Sequence, residues 1–378
     1  MKLLHLSDLH LGKRVNGFPM LEDQTYILEQ ILSVADAEQP DAVLIAGDVY
    51  DRAAPPAEAV RLLDDFLVKL SQRGLRVIII SGNHDSAQRL AFGARLMERS
   101  GVTIAPAFDG AVQPVTLSDA YGPVDIWPLP FLRRVQAQRW FPDAAIETET
   151  DAIAAVIGAM ALDASHRSVL VAHLFVTGAA QCDSEDVQIG AVDGVDAAVF
   201  APFEYVALGH LHGAQSVLRE TVRYCGTPLK YSFSEKDHKK SVTVVELGEK
   251  GDTRVRTVPL TPLHDLREVR GAYDALTLRA NYLGTATDDY LSIVLTDEQD
   301  VPDALQKLRV IYPNIMQLRY DNTRTRTEAA LLPLEEADRR TELELLADFY
   351  EMQNGQALLP EQRALAARLL EEIREDDA

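Results

Sequence analysis

Leu3-Leu4-His5-Leu6-Ser7-Asp8-Leu9-His10 is the stretch that decides how the rest of the chain is read. An apolar run of strand length ends abruptly in Asp8 and His10. Side chains two apart in extended backbone project to one side, so the pair can act together. Four further apolar runs end in the same kind of residue. Ala42–Ala46 runs into Gly47-Asp48, and Val77–Ile80 leads to Gly82-Asn83-His84-Asp85. Val169–Ala172 meets His173, and Tyr205–Leu208 meets Gly209-His210-Leu211-His212. Polar residues gathered at the carboxyl ends of strands are what the crevice of an open α/β sheet offers a ligand. Any one of these short motifs is weak and reads equally well as a turn or a capping Asp. Together, with five of the nine histidines in them, they point to a single site.

Between the strand-like runs, one of which is Val124–Trp127, lie amphipathic helix patterns. Tyr26, Ile27, Gln30, Ile31 and Val34 fall at helical spacing before Pro40. A second helix is expected over 56–72, with Gly74 just past its end, and a third over 88–99, closing at Gly101. The alternation predicts an α/β fold, a two-layered β-sandwich core flanked by helices. From Thr221 the texture turns to strands, including Ser241–Leu247 and Arg254–Val258, and Pro259 and Pro262 mark a boundary. A small α+β module follows over 263–322: strand Asp289–Leu295, helix Val301–Val310, strand Ile315–Tyr320. Residues 323–378 read as a polar linker and two amphipathic helices, 334–353 and 360–375. Their apolar stripes suit either this chain's own core or a partner helix. The expected domains are therefore 1–262, 263–322 and 323–378, consistent with 378 residues.

Composition removes several classes of function. No run of about 18 apolar residues suggests a membrane span, and the N-terminal apolar stretch is too short for a secretory leader. Cys182 and Cys225 stand alone, without the spacing of a disulfide framework or a zinc site. A cytoplasmic protein with two reduced thiols is expected. The formal charge of −21 opposes nucleic-acid binding, which ordinarily leaves a basic footprint. Much of the acid, however, lies between Glu335 and Asp377, and bound cations would invert the potential of a carboxylate-lined site. The mixture of carboxylate, amide and imidazole suits manganese, iron or zinc better than calcium. Seven candidate ligands, Asp8, His10, Asp48, Asn83, His173, His210 and His212, suffice for two ions sharing one carboxylate. Two ions about 3.5–4 Å apart can clamp a phosphoryl group and activate water near neutral pH. His5, inside the first strand, reads as a core residue, and His166, His238 and His264 as surface or loop residues.

In this order the motifs resemble the calcineurin-like metallophosphoesterase superfamily, with its D-x-H, G-D, G-N-H-[DE], lone His and G-H-x-H. The resemblance implies that Asp8, His10 and His212 hold one ion, that Asn83, His173 and His210 hold the other, and that Asp48 bridges them. It implies His84 as general acid and places Asp51 where related phosphatases orient that histidine. Longer segments are similar to the bacterial SbcD family of nuclease subunits: 5–12, 128–133, 205–212 and 223–228. That likeness implies a manganese-dependent exonuclease and endonuclease that, with an SbcC-type coiled-coil ATPase and ATP, trims double-stranded DNA ends and opens hairpins. It further implies a nucleoid-associated homodimer within a heterotetramer, joined through the helices at 56–72 and 88–99. The module at 263–322 would cap DNA, and the last helices would dock on the ATPase.

Arg52 departs from the pattern. Gly-Asp-x-x-Asp-Arg resembles the phosphate-binding arginine of protein phosphatases, although Ala53-Ala54-Pro55-Pro56 does not continue that pattern. Arg52 can meet DNA phosphate or pair with a neighbouring carboxylate. Arg133, Arg134 and the stretch Lys236–Lys240 are the remaining candidates for backbone contact. Two alternatives stay open at this point. One is a phosphoprotein phosphatase or cyclic-nucleotide phosphodiesterase on the same metals. The other is a non-catalytic scaffold, which the full set of ligands disfavours.

Overall fold

Alternate residues of the strand Lys2–Leu6 face two different cores. Leu3 joins Leu44, Ile78, Val171 and Ala207 in an apolar layer between two sheets. Leu4, Val43, Ile45, Val77 and Ile79, equally buried, belong by strand alternation to the opposite face. Helices supply the cover: Leu21–Glu38 buries Ile27, Leu28, Ile31 and Leu32, and Ala57–Gln72 buries Leu63, Phe66 and Leu70. A sheet apolar on both faces must be covered on both, and this requirement builds the layers. The computed structural model describes residues 1–182 and 194–323, together with 343, 346–347, 350, 359, 361–367 and 369.

Each of the two sheets of the sandwich has six strands. The first runs in the order Thr253–Pro259, Ser241–Leu247, Lys2–Leu6, Ala42–Ala46, Arg76–Ile80, Val102–Ile104; the last four are mutually parallel. The second runs Gln215–Val217, Arg219–Tyr224, Tyr205–Gly209, Arg167–His173, Gly122–Pro128, Val115–Asp119, with the middle four parallel. Register aligns Leu6 with Ile45 and Ala46 with Ile80 in the first sheet, and Gly209 with His173 in the second. Strands that end level deliver their exit loops to one rim. The outer face of the second sheet is closed by the helices Arg134–Trp140 and Glu149–Ala159, around Trp127, Leu170, Phe200 and Phe203.

The α/β sandwich is thus as expected, and its strands either coincide with the apolar runs that announced them or extend them by one to three residues. The helix expected over 88–99 is instead two short helices, Ala87–Leu90 and Ala94–Met97, and a 3-10 turn, Glu98–Ser100. Gly93, at φ 76°, breaks it. The described chain divides into two compact units after Arg267, a little beyond Pro262. The second unit carries a three-stranded sheet, Leu266–Gly271, Tyr290–Leu295 and Ile315–Tyr320, with its own core around Leu291, Ile293, Leu308 and Tyr312. Of the two terminal amphipathic helices, the one expected over 334–353 falls mostly outside the described residues; of the one expected over 360–375, residues 361–367 and 369 are described and helical. No described helix is long and apolar enough to cross a membrane.

Ile78→Ala removes a side chain with no exposed surface from the layer between the sheets, and is expected to cost about 2–5 kcal/mol. Val60→Ala, at a position 44% exposed, should stay within about 0.5 kcal/mol of the parent protein. Urea unfolding midpoints of the two variants check the pair.

Candidate metal centre

The strand exits converge through backbone that is itself unusual. Asp8, His10, Asp48 and His210 have φ of 53°, 45°, 46° and 104°, four of the eight described non-glycine residues in the left-handed region. Each such residue costs on the order of 1–3 kcal/mol and persists only where its surroundings hold it. The N–H of Asp8 donates to Gly47 O (3.0 Å) and that of His10 to Asp48 O (3.0 Å), zipping the first two exit loops together. The His210 N–H donates to both Asp8 carboxylate oxygens (3.1 Å), tying in the second sheet. The His84 N–H donates to Asp48 Oδ1 at 2.9 Å. Gly82 allows that approach, because a Cβ there would lie 2.1 Å from the same oxygen.

Around this frame the side chains form interlocking groups. Ligand atoms of Asp8, His10 and His212 lie within 4.8 Å of one another, as do those of Asp8, Asp48 and His173, and of His10, Asp48 and His84. Asn83 Oδ1 lies 2.9 Å from His173 Nε2 and 3.1 Å from His210 Nδ1. Asp48 Oδ2 is 3.3 Å from His173 Nε2 and 3.9 Å from His10 Nε2, so its carboxylate touches both sets. Every sequence-predicted ligand is in the cluster.

Charge is arranged accordingly. Burial opposes ionisation of Asp48, but His173, His10 and His84 together hold its carboxyl far below the usual range. Burial disfavours the charged form of His173 as well; Asp48 outweighs it and raises that imidazole to about 9. Burial, then the neighbouring His173, lowers His210 to about 3, and burial lowers His10 well below its ordinary value. Burial, reinforced by Asp48, lifts Asp8 to about 6.

The calcineurin-like phosphoesterase family model matches residues 1–214. The model described as the type 5 capsule protein repressor C-terminal domain, SbcD_C, matches residues 262–354. A Staphylococcus epidermidis protein named as the SbcD component of the nuclease SbcCD is 35% identical over 322 residues, 84% of this chain and 85% of its own. Its namesake from Staphylococcus saprophyticus is 36% identical over 323 residues, 84% of each chain. The chain belongs to the SbcD family of calcineurin-like phosphoesterases. Among solved structures, a dimetal phosphatase from Danio rerio aligns at 12% identity and a TM-score of 0.39 over 70% of this chain and 98% of its own. A likeness that slight carries no argument.

Phosphoesterases of this family use divalent ions, and the donor set here fits them. Both ring nitrogens of His10 are buried without a hydrogen-bond partner, an arrangement that costs free energy unless a cation takes up a lone pair. His173 Nδ1 donates to Ala46 O at 2.9 Å, which fixes the ring and turns Nε2 into the cluster. His212 Nδ1 is 3.1 Å from Glu235 Oε1, the carboxylate–imidazole pairing that orients metal-binding histidines.

Several members of this SbcD site were not visible in the sequence. Glu235 is fully buried and also accepts from Lys240 Nζ at 2.5 Å. Lys240 Nζ donates further to His212 O and Thr227 Oγ1, so it is a brace under His212 and not part of an exposed basic patch. Gln24 donates to His10 O (2.7 Å) and accepts from Gly12 N (2.9 Å), and the Tyr231 hydroxyl donates to Leu9 O (2.6 Å). Asp85 accepts from the N–H groups of Val49, Tyr50 and Gly82, clamping two exit loops; burial raises its carboxyl to about 6. The fourth place in Gly-Asn-His-Asp was the one available signal for Asp85. For Gln24 and Glu235, far along the chain from the ligands they serve, there was none.

His84 Nδ1 lies 3.0 Å from the backbone carbonyl oxygen of Asp51, whereas the Asp51 carboxylate accepts from Lys13 Nζ at 2.7 Å. The main chain of Asp51, not its side chain, is what meets the histidine. The Arg52 side chain is 65% exposed and 3.7 Å from Asp51. Arg133 is exposed, and Arg134 is half-buried with Nη1 donating to Glu147 O. His5 is a core residue bonded to the Tyr205 hydroxyl at 2.9 Å. His264 is a loop residue, half-buried, with Nδ1 3.0 Å from the buried Asp23. Neither Cys182 nor Cys225 is in a disulfide.

Glu235→Gln is expected to weaken Mn2+ binding roughly 10- to 100-fold, the usual effect of removing a carboxylate behind a ligating imidazole. Calorimetric titration reads it. The pH dependence has a defined sign. His173 is raised from 6.5 to about 9, so in the metal-free chain its pairing with Asp48 stabilises fully below pH 6.5 and is lost as pH rises through about 9. Metal needs the neutral ring, so Mn2+ affinity should rise over that window with release of a proton, measurable in buffers of different ionisation enthalpy.

Proposed function

We propose that this chain hydrolyses DNA phosphodiester bonds with two divalent ions, manganese being the expected species. Asp8, His10 and His212 would hold one ion, Asn83, His173 and His210 the other, and Asp48 both. The observation that carries the reading is the shared position of Asp48, whose oxygens lie among both sets of donors. Ions bound there would neutralise a phosphodiester and lower the pKa of water near neutral pH.

The chain's own residues would do the rest. The His84 N–H is fixed on Asp48, and Nδ1–H donates to Asp51 O, so in the charged ring the second proton sits on Nε2, 3.9 Å from Asp48 Oδ2. With its side chain 23% exposed, His84 stands between the buried ligands and solvent, where a leaving sugar oxygen would collect that proton. Arg52 and Arg133 would meet DNA phosphates, and Lys13 would keep the Asp51 carboxylate occupied. The relatives are named as one component of the SbcCD nuclease, which supports assembly with an SbcC-type ATPase, the segment 323–378 docking on it and 263–322 capping DNA. A homodimer would use the exposed Val60, Val68, Phe92 and Leu96, giving a heterotetramer with the ATPase.

With Mn2+, the purified chain should cut duplex or hairpin DNA, and Asp48→Ala should abolish cutting. His84→Ala should retain Mn2+ binding by calorimetry but lose about 10²- to 10⁴-fold in turnover. Hydrolysis of p-nitrophenyl esters with DNA left intact, even when the ATPase is added, would transfer the site to the phosphatase reading.

A further inference from the structure

The segment leaving the strand Gly122–Pro128 starts at the metal cluster and ends in an exposed aromatic ring. The Phe131 ring lies edge-on to His173, with centroids 6.3 Å apart, and its N–H donates to Ser81 O at 2.9 Å. Two residues on, Arg133 precedes the helix Arg134–Trp140. The helix carries Trp140 about 10 Å along its axis from Arg133, the extended residue that caps it.

Trp140 is 51% exposed, although an indole of that size is normally covered. Its ring lies against the backbone of Gly110, where a Cβ would come within 2.7 Å of it. Gly110 has φ 102°, so the seat depends on glycine twice, for the turn and for the approach. The neighbouring Phe141 packs against Phe108 with centroids 6.4 Å apart, anchoring the end of the helix. The indole is therefore held from one side and open on the other. On the same segment, Arg133 and Arg139 are exposed and form no ion pair with a carboxylate among the described residues. These two arginines are the exposed cations that the segment carrying the open indole offers to a phosphate, with the exposed Asp109 and Asp143 as the neighbouring carboxylates in sequence.

We infer that the arm from Phe131 to Trp140 is a track for single-stranded DNA at the metal centre, with an unpaired base stacked on Trp140 and phosphates met by Arg133 and Arg139. Stacking on a pre-positioned ring needs no particular base, since every base has a π face. This deepens the reading of the site as a DNA phosphodiesterase and rests on it. It supplies what the metal ligands lack, a contact that distinguishes unpaired DNA from other phosphodiesters.

The chain has two tryptophans, and Trp127 is buried at 2% exposure, so the solvent-exposed part of the tryptophan emission reports Trp140. The experiment titrates the full chain, in chelator, with oligodeoxythymidylate, following emission and oligonucleotide anisotropy together. The expected result is quenching of the exposed component on binding. Trp140→Ala should bind roughly 5- to 150-fold more weakly, the range that one base–aromatic stack supplies, and Trp140→Phe should stay within about threefold of the parent protein. Binding without quenching, or equal binding by Trp140→Ala, overturns the track; if the parent protein still cuts DNA with Mn2+, the nuclease reading stands. Equal weakening in Trp140→Phe and Trp140→Ala also overturns it, because the aromatic face would then not be what binds. Failure of the parent protein both to bind the oligonucleotide and to cut DNA removes the track and the nuclease reading together.

Discussion

The Asp48 carboxylate is the constraint on which the rest of the site depends. It lies at the end of a fully buried strand and is ionised there because three imidazoles surround it and the His84 N–H binds it. To hold that position its backbone takes a left-handed conformation, and so do Asp8, His10 and His210. No single loop could sustain so many unfavourable torsions. They persist because the loops are cross-bonded: Asp8 to Gly47, His10 to Asp48, His210 to Asp8, and Asp85 to three N–H groups at once. The geometry of the ligands is thus a property of the whole rim and not of any one motif.

The fold was legible where burial imposes a period. Runs such as Ala42–Ala46 and Tyr205–Leu208 are apolar at every position because both faces of their sheets are covered, and they match the strands to within a residue. The break at Gly93 was not legible, since its neighbours keep helical spacing and only the glycine's positive φ interrupts them. At the site, the first set of ligands could be read because strand ends concentrate them. Its supports could not, because Gln24 reaches His10 from the first turn of a helix and Glu235 reaches His212 from a 3-10 turn. Lys240 shows the cost of reading charge without burial: in sequence it belongs to a basic run, yet in space it is a buried counter-ion.

The acidity of the chain and its reading as a nuclease are reconciled by location. Carboxylates at the rim are matched to cations that would occupy it, and two exposed arginines, Arg133 and Arg139, lie on the arm that begins at Phe131. A net charge sums over surface that a phosphate backbone never approaches, whereas screening confines its influence to roughly 8–10 Å at ordinary ionic strength. Local sign therefore matters more than the total.

The candidate ligands are drawn from both sheets: Asp8, His10, Asp48 and Asn83 follow strands of the first, and His173, His210 and His212 end or follow strands of the second. Ions bound among them would staple one half of the sandwich to the other, a role that disulfides fill in other proteins and that Cys182 and Cys225, neither in a disulfide, do not fill here. Occupancy then becomes conformational stability by mass action, roughly 2.7 kcal/mol when free ion stands at a hundred times its dissociation constant. The same centre that would cut a phosphodiester would make the durability of the domain depend on the metal supply around it.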